Sequence, residues 1–186
     1  FSYNGTGGVG YTRDLPQDEN GAKSLKNLWA LAESQEFTNV SPAMHEEFVM
    51  QYERRLLEPF GLAAYGCCEP LENKLDYVFQ APNMRRISVS PWANIELCAE
   101  RIGKRAVYSW KPNPSYFIND YNEEFLERYV TEMLKATRDN CVEIILKDTH
   151  TCQKIRDATV NGRISAEGAW NACEKMSDSQ KKRRET

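Results

Sequence analysis

The chain has 186 residues, 41% of them hydrophobic and 27% charged, and a formal net charge of −3. That length suits one well-packed domain and is short for two, and the apolar share argues against disorder. The weak negative charge gives no electrostatic reason to expect nucleic acid or an anionic membrane as partner, and no apolar run approaches the roughly 20 residues of a transmembrane helix.

The chain opens on Phe1-Ser2-Tyr3-Asn4, without Met and without the basic region and apolar core of a signal peptide, as a processed product or a fragment would. Gly5-Thr6-Gly7-Gly8-Val9-Gly10 satisfies G-x-G-x-x-G, but the dinucleotide fingerprint needs a strand immediately before it and a helix immediately after. Tyr11 to Pro16 is no helix start. Residues 1–24 are expected to form a glycine-rich loop and lead-in that can cover a site.

Leu28 to Ala32 reads as a strand or a short helix. Ser41-Pro42 starts a helix, Ser as N-cap and Pro at the first position, that runs through Phe48, Tyr52, Leu56 and Leu57 at helical spacing and ends at Glu58-Pro59 and Gly61. A short buried strand spans Leu62 to Cys67, and a helix is expected from about Glu69 to Phe79. Arg86 to Ser90 is the next strand, followed by a helix from Trp92 to Ile102 that Gly103 stops. A strand from Arg105 to Trp110 closes at Lys111-Pro112-Asn113-Pro114. The longest helix spans about Asn122 to Thr137, with Phe125, Tyr129, Met133 and Leu134 on one face. Cys141 to Leu146 is the last clear strand. Ser165 caps a final helix through Cys173, and 177–186 is a basic, frayed tail.

Short strands alternating with helices imply a parallel sheet joined by crossover helices, so the fold class is α/β. About five βα units are present, whereas a closed (β/α)8 TIM-type barrel needs eight strands. The chain therefore reads as a single domain, either an open sheet or the C-terminal part of such a barrel. A partial barrel exposes sheet edges, so self-association or pairing with a missing N-terminal part is expected.

Each strand finishes in polar or reactive residues: Glu33 to Glu36, Cys67-Cys68-Glu69, Ser88-Val89-Ser90, Ser109-Trp110-Lys111 and Lys147-Asp148-Thr149-His150. In parallel α/β folds these ends share one edge, where active sites are assembled. Glu33, Glu69, Lys111 and Asp148 are the catalytic candidates. Strand alternation lets at most one of Cys67 and Cys68 face a shared pocket while the strand is regular. A thiolate there, with a carboxylate and a third donor from His150 or Cys152, makes a zinc site, and zinc holds a thiol as its nucleophilic thiolate. Packing is the commoner role for such a pair. His45, beside Glu46 and Glu47, reads as a solvated surface histidine. His150 suits a ligand or proton carrier, and Lys111 and Lys147 suit anion clamps. The six cysteines fit a reduced, cytoplasmic protein, with Cys98 and Cys141 as small buried hydrophobes.

At Tyr65-Gly66-Cys67-Cys68-Glu69-Pro70-Leu71, Ile87-Ser88-Val89-Ser90-Pro91-Trp92 and Ser109-Trp110-Lys111-Pro112-Asn113-Pro114 the chain resembles uncharacterised bacterial members of the uroporphyrinogen decarboxylase-like superfamily. That superfamily also contains cobalamin-dependent methyltransferases. The resemblance runs from about Gly7 to about Thr151 and implies a (β/α)8 barrel longer than this chain. Methyltransferase members use zinc to activate a thiol that accepts a methyl group from a methylated corrinoid protein, and hold it with a His-x-Cys pair on a strand and a later Cys. Cys68 matches the strand Cys and Cys152 the later one. Gly66 stands where the His would be, leaving Glu69, Cys67 or His150 to substitute. The resemblance implies a methyltransferase acting through a zinc-bound thiolate. The alternatives are a metal-free decarboxylase or lyase acting on a small carboxylate, and a non-catalytic binding module.

Overall fold

The apolar runs become the strands Trp29–Ala32 (β1), Leu62–Tyr65 (β2), Met84–Val89 (β3), Val107–Trp110 (β4) and Cys141–Ile144 (β5). They form one five-stranded sheet in the order β1-β2-β3-β4-β5, and every neighbouring pair is parallel. The structure, a computed structural model, describes residues 14–16, 24–117 and 122–146. Of these, 14–16, 24–112 and 139–145 make one compact unit, and 113–117, 122–138 and 146 make another. The glycine loop 5–10, the helix expected from Ser165 and the basic tail lie outside the described residues.

Ambiguity at residues 28–32 resolves to a strand because Ala30 and Ala32 carry little side chain and pair in register with Ala63 and Tyr65. Side chains alternate between the two faces of a strand, so the register sorts the sheet. One face carries Ala63, Tyr65, Ile87, Val89, Tyr108 and Trp110, all buried. Helical residues Met50, Leu57, Leu75, Val78, Cys98 and Ile102 are buried with them, giving the main core. The opposite face is apolar at β1 and β2, where Trp29, Leu31, Leu62 and Ala64 pack with Leu15, and polar beyond. There it presents Arg86, Ser88 and Ser109, and Arg86 pairs with Glu143.

The β1 to β2 connection is a continuous helical segment: Pro42–His45 (α1), a π-helical turn Glu46–Met50, and Gln51–Leu57 (α2). Ser41 caps it as expected, its hydroxyl accepting from Met44 N. The helix expected from Glu69 shrinks to Leu75–Val78 (α3). Pro70 and the buried Glu69 carboxylate, which bonds backbone outside any helix, hold residues 67–73 as bends and turns. The next helix starts at Ile95, three residues later than expected, because Asn94 takes the cap by accepting from Leu97 N, and it runs Ile95–Ile102 (α4) to Gly103. Gly103 has φ +52, a conformation that favours glycine.

Cys98 is buried as expected, but Cys141 is exposed and is not a core residue. In the second unit, Glu123–Ala136 (α5) is capped by Asn122 and buries Leu126, Val130, Met133 and Leu134. Phe125 and Tyr129 instead join Tyr116 in an aromatic trio, with centroids 5.0 Å and 5.2 Å from the Tyr116 ring. Among the described residues, no helix is long and apolar enough to cross a membrane.

Candidate functional site

Because the strands are parallel, Glu33, Cys67, Ser90 and Lys111 each follow a C-terminal strand end and lie along one edge of the sheet. Asp148, His150 and Cys152, with Lys147, are outside the described residues.

The turn after β2 is set by Gly66. Its φ is +94, and a Cβ there would sit 2.5 Å from Leu71 Cδ1 and 3.3 Å from Ser88 Cβ. No side chain fits at this position, so the histidine of a His-x-Cys pair is excluded on steric grounds. Glu69 then folds back under the turn. It is buried, with Oε1 accepting from Ser34 N and Oε2 from Cys67 N, both at 2.8 Å. A carboxylate that binds two backbone N–H groups in this way ties the end of β1 to the end of β2. Glu69 therefore works as a positioning residue.

Cys67 is held from three sides. Its carbonyl oxygen accepts from Lys111 Nζ at 3.2 Å and from Ser88 Oγ at 3.1 Å. Its thiol hydrogen-bonds the exposed Glu33 carboxylate and stands 3.7 Å from Cys68 Sγ. Burial, then the Glu33 bond, pushes the Cys67 thiol up to about 12, against the opposing pull of Lys111. Both thiols are half-buried, so the bent turn brings together two side chains that a regular strand would separate. Lys111 is itself buried, an unusual place for an ammonium group, and Lys74 is buried with its Nζ donating to Phe37 O at 2.6 Å.

Next to this rim lies a polar chain that composition does not reveal. His45 is fully buried, which corrects its assignment to the surface. His45 Nε2 is 3.0 Å from both Ser34 Oγ and the Tyr65 hydroxyl, and Tyr65 donates to Glu53 Oε2 at 2.6 Å. Since the Tyr65 proton goes to Glu53, Tyr65 oxygen accepts from His45, which places the imidazole proton on Nε2. His45 Nδ1 is buried with no hydrogen-bond partner among the described residues. Burial, helped by the charge of Lys74, pushes His45 down to about 4, so the ring is neutral near pH 7. Burial raises Glu53 and, more strongly, Tyr65. The signal for His45 is its row: His45, Val49, Glu53 and Leu57 share one face of the helical segment.

The arrangement offers two adjacent thiols, a carboxylate bonded to one of them and a rigid backbone frame. Among the described residues, no three His, Cys, Asp or Glu side chains are grouped to hold a metal ion. No family model matches the chain, and no curated protein or solved structure matches it either.

Proposed function

We propose that the chain belongs to a (β/α)8-type barrel enzyme of the uroporphyrinogen decarboxylase-like superfamily and transfers a methyl group to a thiol or corrinoid at the Cys67–Cys68 rim. The observation that carries this reading is the thiol pair, 3.7 Å apart, at the C-terminal edge of a sheet whose strands follow in unbroken order. Sequential parallel strands with right-handed crossovers place their connecting helices on one face, as barrels do, and have no reversal point. Buried Ser88, Ser109 and Arg86 on the other face suit a barrel interior.

Two thiolates on one tetrahedral zinc stand about 3.8 Å apart, given Zn–S bonds near 2.3 Å, so Cys67 and Cys68 fit two corners of such a site. Cys152 and His150 are the further donors the sequence offers. Bound zinc supplies a Lewis acid that favours the thiolate form of a substrate thiol at neutral pH. The protein's own groups do the rest. Glu33 accepts a hydrogen bond from the Cys67 thiol, Lys111 and Ser88 fix the Cys67 carbonyl, and Glu69 fixes its N–H. A corrinoid protein is the methyl donor this reading requires, and a small thiol its acceptor. A reducing, cytoplasmic setting, in which thiols stay reduced, belongs to this reading. Lys111 as a carboxylate clamp has less support, because its buried ammonium already donates to Cys67 O.

Methyl transfer from methylcobalamin to a panel of small thiols, read as loss of the methyl–cobalt absorbance, tests the proposal. Transfer that falls by about 100-fold or more in Cys68→Ser, with the fold intact by circular dichroism, supports it. No transfer to any thiol, or an undiminished variant, overturns it.

A further inference from the structure

The turn after β2 brings two neighbouring thiols to the same side of the chain. In an extended strand adjacent side chains point to opposite faces, which keeps their sulfurs apart. Here Gly66, with φ +94, turns the chain and residues 67–69 form bends, so the two Sγ atoms lie 3.7 Å apart. Both thiols are half-buried, and the exposed part of each is open to a small reagent.

The backbone of this turn is fixed before any reaction. Glu69 Oε2 accepts from Cys67 N at 2.8 Å, and Cys67 O accepts from Ser88 Oγ at 3.1 Å and Lys111 Nζ at 3.2 Å. Glu69, Ser88 and Lys111 are all buried, and Glu69 is tied in turn to Ser34 N. An ordered turn loses little freedom when its sulfurs are joined, whereas an unfolded chain must first be fixed. A disulfide needs sulfurs about 2.0 Å apart, so the pair has about 1.7 Å to close by side-chain rotation. Neighbouring Cα atoms stay about 3.8 Å apart across a trans peptide, less than the roughly 4.4–6.8 Å of ordinary disulfides. The bond would be strained and easily reduced again, which makes it reversible rather than structural.

We infer that Cys67 and Cys68 are a modification site, which a small disulfide oxidises reversibly to a Cys67–Cys68 disulfide. The Cys67 proton is engaged by the Glu33 carboxylate, so Cys68 attacks first. As its thiolate, Cys68 attacks one sulfur of the small disulfide, forming a mixed disulfide and releasing one small thiolate. Cys67 then attacks Cys68 Sγ, closes the ring and releases the second. Two protein thiols lose two electrons, the small disulfide gains them, and the two cysteine protons end on the two released thiols. The inference rests on the geometry of the turn alone. Only its consequence, that oxidation removes both thiolates from a metal, rests on the methyl-transfer reading.

Oxidation of the folded protein over a series of oxidised-to-reduced glutathione ratios, followed by acid quenching and peptide mass mapping, tests it. Tryptic cleavage after Arg55 and Lys74 releases peptide 56–74, which holds Cys67 and Cys68 and no other cysteine. That peptide should become lighter by two hydrogens, and dithiothreitol should restore its mass. At a ratio that oxidises half of the folded protein, urea-unfolded protein should carry about tenfold less of the internal disulfide, with mixed disulfides in its place. Cys67→Ser should instead hold one glutathione on Cys68. A peptide 56–74 that stays reduced or gains only glutathione overturns the inference, as does an internal disulfide that forms equally in urea. The readout needs neither metal nor activity, so its failure and a failure of methyl transfer are told apart.

Discussion

His45 Nε2 lies 3.0 Å from the Tyr65 hydroxyl, and neither side chain reaches solvent. The contact joins the helix after β1 to the last residue of β2, and through Glu53 and Ser34 it fixes the floor on which the thiol turn rests. It also makes stability depend on pH. The folded-state value for His45 is about 4, against 6.5 for an unperturbed histidine, so the unfolded chain takes up a proton that the folded chain refuses between those values. The contribution is fully present above pH 6.5 and declines as pH falls toward 4. From pH 7 to pH 5 the loss is about 2 kcal/mol. Urea unfolding at the two pH values should show that loss in the wild type, and a smaller one in His45→Asn.

Glu69 accepts from the backbone N–H groups of Ser34 and Cys67, both at 2.8 Å. Glu69→Gln keeps the shape but points an NH2 at one of those donors. The expected loss is about 1–3 kcal/mol, measured as a shift in the urea midpoint at pH 7.

Gly66→Ala places a methyl within 2.5 Å of Leu71 Cδ1 at φ +94. Strain and overlap together should cost about 2 kcal/mol or more and lower the thermal midpoint. Gly66→Ser should do no better.

Thiol labelling should separate the cysteines by burial. Cys141 is exposed, whereas Cys98 is buried and pushed up to about 12 by that burial. Peptide mapping after brief iodoacetamide treatment should find Cys141 modified and Cys98 protected until denaturant is added.

Much of the sheet is legible in the sequence because its signals are local. Strand β4, with Val107 and Tyr108 between Arg105 and Lys111, and the caps at Ser41 and Gly103 fall where the chain chemistry puts them. The departures share one cause, which is tertiary contact. The helix expected at Glu69 fails because its carboxylate bonds backbone 35 residues away. His45 reads as a surface residue because Glu46 and Glu47 beside it suggest a wet face, while its real partners come from β2 and from Ser34. The π turn shifts helical phase in a way periodicity does not reveal, so Phe48 and Tyr52 lie outside the face that regular spacing assigns them. The thiol pair is visible as a dipeptide, but only the Gly66 turn shows that both sulfurs come together.

Cobalt(II) substitution tests the central claim, that Cys67 and Cys68 act as one thiolate pair on a soft metal ion. The wild-type protein should show an intense thiolate-to-cobalt charge-transfer band that weakens in Cys67→Ser and in Cys68→Ser and is lost in the double variant. A wild-type spectrum without that band, or a band that survives in the double variant, would contradict the account.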